Sequence, residues 1–407
     1  MTYKRLVFTS ICLFLMTSTC LSMVFDNRFM PLMQRPWIAS DDGRSHVSTH
    51  LFGVRATRAY NSLGAEAPLP DMYGSFDLGK IAQGIVNLGF QNPIKTEWQG
   101  ATIPWALEGK LQGQGIDLEW QKAITQYISI GGSFLVLRLS SWYNFVLNEK
   151  DCTLHPRASE VQELEDLRLS ILRQIGICGD CSVQHGFGDT DLYVRVGNYW
   201  EYACKFRSIQ VGGRLGLLIP TGKHQNIHYP SSIPFGGNGH WGIYGAADAL
   251  FELKEDWKVG LYLRINQRFA RTQCHRVPTE CEMDNYAALQ TDVRVRPGTT
   301  FVFSPYVDFE CLRDGLGVRV FYVLTKHWAD RWSICQQDEK KYKDFIKRTE
   351  WGSDYFSVNV FYDFGKVKPN RTVYPILTFC WDIPQSVLIA NAVAKTDRIS
   401  LGVEVAF

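Results

Sequence analysis

Long stretches of this chain alternate apolar and polar residues with a period of two. In "WKVGLYLRINQRF", Trp257, Val259, Leu261, Leu263 and Ile265 fall on one face, and Lys258, Gly260, Tyr262, Arg264, Asn266 and Arg268 on the other. "IQVGGRLGLLI" sets Ile209, Val211, Leu215, Leu217 and Ile219 against Gln210, Gly212, Arg214 and Gly216. Phe301, Phe303, Val307 and Phe309 oppose Ser304, Tyr306, Asp308 and Glu310; Phe356, Val358, Val360 and Tyr362 oppose Ser357, Asn359 and Asp363. The chain ends the same way. Ile399, Leu401, Val403, Val405 and the last residue, Phe407, share a face, against Arg398, Ser400, Gly402, Glu404 and Ala406. Such alternation predicts strands with one apolar face. Runs of about 10–15 residues exceed the usual strand of five or six and suit a tilted membrane strand, which needs about 9–11.

A barrel must close, and barrels of the bacterial outer membrane have even strand counts, with short turns at one end and long loops at the other. Strands over 45–60, 109–121, 129–147, 188–202, 205–220, 239–253, 256–269, 299–311, 316–328, 355–365, 372–382 and 398–407 meet both conditions. Short and long connections then alternate, and both chain ends fall on the short-turn side. Thr291–Arg296 alternates too, but counting it as a strand puts long and short connections on the wrong sides, so it is assigned to a loop. The expected fold is all-β: a transmembrane antiparallel barrel of about 12 strands, with 10 to 14 as the range. The segment before Arg138 is the most weakly patterned.

Helical periodicity is confined to the long connections. Arg157–Ile177 is amphipathic, with Ser159 and Gln162 at capping-box spacing. Ile334–Gly352 reads as a charged helix, and Asp77–Gly89 as a weaker one. Helices in outer loops either cap the mouth or fold into the lumen, and the sequence admits both.

"GFGDTDLYVRV" (Gly186–Val196), "LGLLIPTGK" (Leu215–Lys223) and "GGNGHWGIYGAADALFEL" (Gly236–Leu253), followed by "WKVGLYLRI", occur in that order. This succession resembles a group of Gram-negative outer-membrane barrels that includes transporter-like proteins and proteins of a meta-cleavage phenol-degradation pathway. The resemblance covers roughly a fifth of the chain and implies a transporter-like barrel without naming a solute. Read as residues alone, Gly and Asp start strands and Pro-Thr-Gly ends one. Thr221-Gly222-Lys223 lacks the spacing of a phosphate loop.

The first residues carry Lys4 and Arg5, an apolar core from Leu6, and small residues up to Ser22, the layout of a secretory signal over 1–22. The domain expected after it, 23–407, is a single barrel. No later segment has about 20 uninterrupted apolar residues. Removing Lys4 and Arg5 leaves 41 basic against 41 acidic residues, which gives no footprint for nucleic acid. Aromatic residues make up 13% of the chain, as expected of rings gathered at membrane interfaces. Export permits disulfides. Cys152, Cys178 and Cys181 are candidates for one loop bridge and Cys274 with Cys281 for another, while Cys380 sits within a strand. Neither a second Cys pair for zinc nor a hydrolase signature is present, so no metal, cofactor or enzymatic activity is expected.

The charges on the polar faces are the candidate site. Arg195, Arg214, Arg264, Arg268, Arg319 and Arg398 share the predicted lumen with Asp191, Asp248, Glu252, Asp308, Glu310 and Glu404. Rings of charge in a pore select solutes; ion pairs also fill a narrow barrel. The function expected is a porin-like channel passing small solutes passively, with a structural or surface-interaction barrel as the alternative and a barrel hydrolase ranked behind both. Its expected place is the outer membrane, among lipid. The terminal strand, with Val403, Val405 and Phe407, resembles the signal read by the barrel assembly machinery.

Overall fold

The computed structural model describes residues 27–30, 45–279, 282–334, 343–367 and 373–407. The expected signal 1–22 and Cys281 lie outside them. Twelve strands close into an antiparallel barrel. They are β1 (His46–Ala56), β2 (Pro104–Ala123), β3 (Ile128–Leu147), β4 (Cys181–Phe187 continuing as Thr190–Glu201), β5 (Ser208–Ile219) and β6 (Gly242–Lys254). There follow β7 (Trp257–Arg268), β8 (Thr300–Arg313), β9 (Leu316–His327), β10 (Trp351–Asp363), β11 (Tyr374–Gln385) and β12 (Asp397–Ala406). Each pairs with its successor, and β12 pairs with β1 from His46↔Ala406 through Leu51↔Leu401 to Arg55↔Asp397. Phe407 and Ser45 extend that seam by two backbone hydrogen bonds, 2.9 and 3.0 Å.

All twelve expected strands are present, and Leu289–Arg296 lies outside the barrel. It pairs instead with Arg271–Val277 and Arg331–Ile334 in a three-stranded sheet at the long-loop end. The first strand stops at Ala56, short of the expected 60. Arg58–Tyr60 leaves the wall to pair with Glu66–Pro68 and Val393–Ala394.

The outer face follows the alternation. Leu51, Val194, Leu215, Ile265, Phe379, Ile399, Leu401 and Val403 are all exposed. In a closed barrel every wall N–H and C=O is bonded within the sheet, so this band can face hydrocarbon. Among the described residues no helix is long and apolar enough to cross a membrane.

The upper parts of β1, β2 and β3 reverse the pattern. Phe52, Val54, Trp105, Leu107, Leu111, Leu135, Leu137, Leu139 and Tyr143 are buried inside. Glu108, Lys110, Gln112, Arg138 and Asn144 take outward positions. Strands β2 and β3, each of 20 residues, extend beyond the lipid band, where water lies outside and a packed core inside. Two helices supply that core. In α1 (Leu78–Asn87), Leu78, Ile81 and Ile85 are buried; in α2 (Ala158–Gln174), Leu164, Ile171 and Leu172 are. The loop helices therefore fold inward against the wall. Phe76, Phe145 and Tyr286 meet edge-to-face beside them, with centroids 4.9–5.6 Å apart.

Local capping explains the helix starts. Asp77 accepts the Gly79 N–H at 2.9 Å. The second helix starts with Arg157 as its N-cap in place of the expected Ser159, because Glu160 reaches back to the Arg157 N–H at 2.7 Å. The charged helix expected over Ile334–Gly352 is described only from Lys343 to Arg348; 335–342 lie outside the described residues. Trp351 and Gly352 already belong to β10, four residues before the expected start. Gly352 is tied to Asn391 by two 3.0 Å backbone bonds.

If Leu401 faces hydrocarbon, Leu401→Arg should cost about 2–4 kcal/mol. Urea unfolding in lipid vesicles measures this, and an unchanged midpoint would refute the face assignment.

Candidate functional site: the charged interior

Because side chains alternate along each strand, every polar position of the period-two runs turns inward. The structure places all of the predicted charges there, in three groups. The first runs along the wall. Asp308 and Arg319 are cross-strand partners on β8 and β9 and form an ion pair. Asp382 and Arg398 do the same on β11 and β12 at 2.6 Å.

Arg195–Asp248, Arg264–Asp191 and the Tyr193 contacts are chords that skip strands, while Arg214 and Asp248 lie on neighbouring strands. Arg195 on β4 reaches over β5 to Asp248 on β6, with contacts of 2.6 and 3.3 Å. Arg264 on β7 reaches Asp191 on β4 at 3.6 Å, its guanidinium 3.6 Å from the Tyr244 ring. Arg214 on β5 stands 3.9 Å from Asp248 and 5.1 Å from the Tyr193 ring. The Tyr193 hydroxyl approaches Gln121 (3.1 Å) and Glu119 (3.3 Å) on β2. Chords need room over the strands they cross, and glycine supplies it. A Cβ at Gly212 would strike the Arg195 guanidinium, and one at Gly260 the Tyr306 ring. Substituting either would push these side chains off the wall.

The second group lies at the short-turn rim. Glu252 accepts from Ser208 at 2.7 Å and pairs with Arg207 at 3.3 Å. Glu310 holds Lys258 at 2.8 Å and also Lys366. Glu404 lies between His46 (3.5 Å) and His50 (3.8 Å) on β1. The predicted charges therefore do not make a single ring.

The third group is Arg268, at the long-loop end. Its guanidinium pairs with Asp189 at 2.8 Å and donates to the His240 carbonyl at 2.7 Å. Asp189 is fully buried and also accepts the N–H of Gly222 (3.2 Å) and Gly237 (2.7 Å). Thr221 adds bonds to Thr190 and the Gly188 carbonyl, both 2.8 Å. The Gly-Asp strand start, the Pro-Thr-Gly end and the Gly-rich restart thus converge on one carboxylate. Their order along the chain reflects a staple that draws loop 220–241 to the wall. This is turn chemistry, with a single buried anion as its centre.

Sequence reading passed over Asp189, Asp382, Glu119, Tyr193 and Tyr244 as interior groups. Asp382 shares its inward register with Thr378 and Cys380, a signal weakened by the buried Pro384 two residues on. Asp189 gives no periodic signal, because it sits in the break between the two halves of β4.

The loops over the mouth are fixed by comparable staples. Arg276 donates to three backbone carbonyls, of Ile227 (2.7 Å), Ala287 (2.9 Å) and Ile175 (3.0 Å), and burial lowers its pKa to about 10. On the outer wall, Asp354 accepts the N–H groups of Leu388, Ile389 and Ala390 at 2.8–3.0 Å. The expected loop disulfide is absent: Cys152 is buried, Cys178 and Cys181 are exposed, and all three are free, as is Cys274. Among the described residues no cluster of His, Cys, Asp and Glu could hold a metal.

No family model and no curated protein matches this chain. Among solved structures it is similar to an outer membrane channel from Pseudomonas putida F1, with a TM-score of 0.52 and 12% identity over 90% of this chain and 96% of that one. A FadL homologue from Pseudomonas aeruginosa aligns over 89% of this chain and 90% of its own at 8% identity, but its TM-score of 0.32 carries no argument. The first likeness is one of fold. The architecture is that of a Gram-negative outer-membrane barrel, closed by 12 strands.

Breaking a buried ion pair by removing one partner typically costs about 3–5 kcal/mol. Asp189→Ala should therefore lower the urea midpoint in vesicles by a corresponding amount and free loop 220–241 for proteolysis. A variant as stable and as protease-resistant as the parent would show that the staple does not hold the loop.

Proposed function

We propose that this chain is an outer-membrane channel that passes small solutes by diffusion through its charged interior, with the inward-folded loops controlling access. The observation that carries the reading is a closed barrel whose apolar outer band encloses arginine, aspartate and tyrosine. The rows of Arg195, Arg214, Arg264, Arg268 and Arg319, with Asp248, Glu252, Asp308, Glu310 and Glu404, would set which charges pass. Passage of this kind is passive, so it needs no cofactor and no catalytic group.

In the same reading, 1–22 directs export, lipid surrounds the band, and the strand ending Val403, Val405 and Phe407 is recognised by the barrel assembly machinery. One observation favours a second reading, a barrel that serves mainly to display its loops: the apolar core under α1 and α2 occupies much of the mouth.

Conductance separates the two. The refolded protein should conduct in planar bilayers. Arg264→Ala or Arg319→Ala should widen the lumen, raise conductance and shift the reversal potential toward cations. A barrel that stays silent in the parent and in both variants would sink the channel reading. Deleting Phe407 should reduce the amount assembled in the membrane, and wild-type amounts would remove it from the assembly signal.

A further inference from the structure

The three-stranded outer sheet continues three adjacent wall strands past the membrane. Arg271–Val277 follows β7, Leu289–Arg296 leads into β8, and Arg331–Ile334 follows β9. One face of this sheet is covered. Val293, Val295 and Trp332 cluster there with Ile346 of the Lys343–Arg348 helix, and Gln273 meets the buried His240 ring at 3.1 Å. Alternation sends Thr272, Arg294, Arg296, Arg331 and Ser333 to the opposite face, where all five are exposed. Arg276 shares that face at its far end, but is buried and bound to the three carbonyls already described.

Register concentrates positive charge on the exposed face. Arg296 stands directly opposite Arg331, and Arg294 lies between Thr272 and Ser333. Cross-strand partners are about 5 Å apart at Cα, and the next residue on the same face is about 7 Å along. Like charges directly opposite destabilise a sheet. The carboxylates nearby are committed elsewhere. Glu350 is held by Lys326 at 2.6 Å, and Asp330 accepts the Gly298 N–H at 2.8 Å and pairs with His327 at 3.0 Å. Asp292 is on the exposed face, but it sits opposite Cys274, beyond Arg294 and four residues from Arg296. Among the described residues, Arg294, Arg296 and Arg331 have no ion pair and no side-chain hydrogen bond.

The height of the cluster decides what can approach it. The exposed rings of Phe269 and Trp328 end the outward rows of β7 and β9, and such rings sit at headgroup level. The Trp328 N–H donates to the Thr299 carbonyl at 3.1 Å. Arg296 and Arg331 are each three residues from that bond, at most about 10 Å of chain. A guanidinium on its long stem reaches back to headgroups from there, and the long-loop end is the outer side of the membrane. We propose that Arg294, Arg296 and Arg331 bind the phosphate of a phosphorylated glycolipid in the outer leaflet, with Thr272 and Ser333 as further donors. The phosphate supplies the negative charge that this face lacks, and guanidinium forks bond its oxygens in pairs. The site needs only a barrel seated in the outer membrane, so it goes beyond the channel reading and does not depend on it.

The test is native mass spectrometry of the full chain, refolded in neutral detergent and titrated with diphosphoryl lipid A. Lipid A with both phosphates removed keeps the acyl chains and lacks the anion; inorganic phosphate is the anion without the lipid. Diphosphoryl lipid A should bind more tightly than both. Arg296→Gln and Arg331→Gln should each weaken it about tenfold and leave the dephosphorylated lipid unchanged. Arg296→Lys keeps the charge and loses the fork, so it should weaken binding less. Arg138→Gln removes an exposed arginine from β3, across the barrel, and should change nothing. Equal affinity for the two lipids, an unchanged affinity in both Arg296→Gln and Arg331→Gln, or an equal loss in Arg138→Gln would overturn the proposal. Inorganic phosphate bound as tightly as the lipid would mark a free-anion site and overturn the lipid assignment. Conductance enters none of these outcomes, so a silent barrel can keep this site and a conducting one can lose it.

Discussion

The seam between β12 and β1 is the constraint on which the rest of this molecule depends. A strand in hydrocarbon cannot leave its N–H and C=O groups unbonded, since each would cost several kcal/mol. The first and last strands must therefore find one another, in register, over the whole height of the wall. Ten paired positions from His46↔Ala406 to Arg55↔Asp397 meet that demand. Closure then fixes which face of every other strand looks inward, and so gathers the lumen charges, which are far apart in sequence.

Above the lipid band the same wall works under the opposite rule. Water lies outside Glu108, Lys110 and Arg138, and the inner positions of β1, β2 and β3 become a surface to be covered. The helices of the two longest connections cover it, so the mouth on that side has an apolar core of the kind found in soluble domains. The opposite side of the barrel keeps a polar interior of arginine, aspartate and tyrosine. One barrel thus combines a packed half and a charged half.

The interior pairs also have a structural role. Chords such as Arg195–Asp248 and Arg264–Asp191 tie together strands that share no backbone hydrogen bonds. Two buried charges in contact offset much of their mutual desolvation only when the geometry is good, and the glycines beneath them make that geometry available.

The alternation of the chain by itself determined a great deal: twelve strands, which face of each meets lipid, the alternating lengths of the connections, and the exclusion of Thr291–Arg296 from the wall. Period two and the need to close are local and topological facts, and both are written into neighbouring residues. Pattern was weakest in β2, before Arg138, because polarity reverses there once the strand leaves the membrane, and only the placement of α1 and α2 reveals that its inner side is dry. The inward direction of Arg264 was legible, but its partner Asp191, three strands away, was not. Nor was the convergence of Gly222, Gly237 and Arg268 on Asp189. Such contacts depend on the curvature of the closed sheet, which brings distant strands within reach of one side chain, and no spacing along the chain encodes that distance.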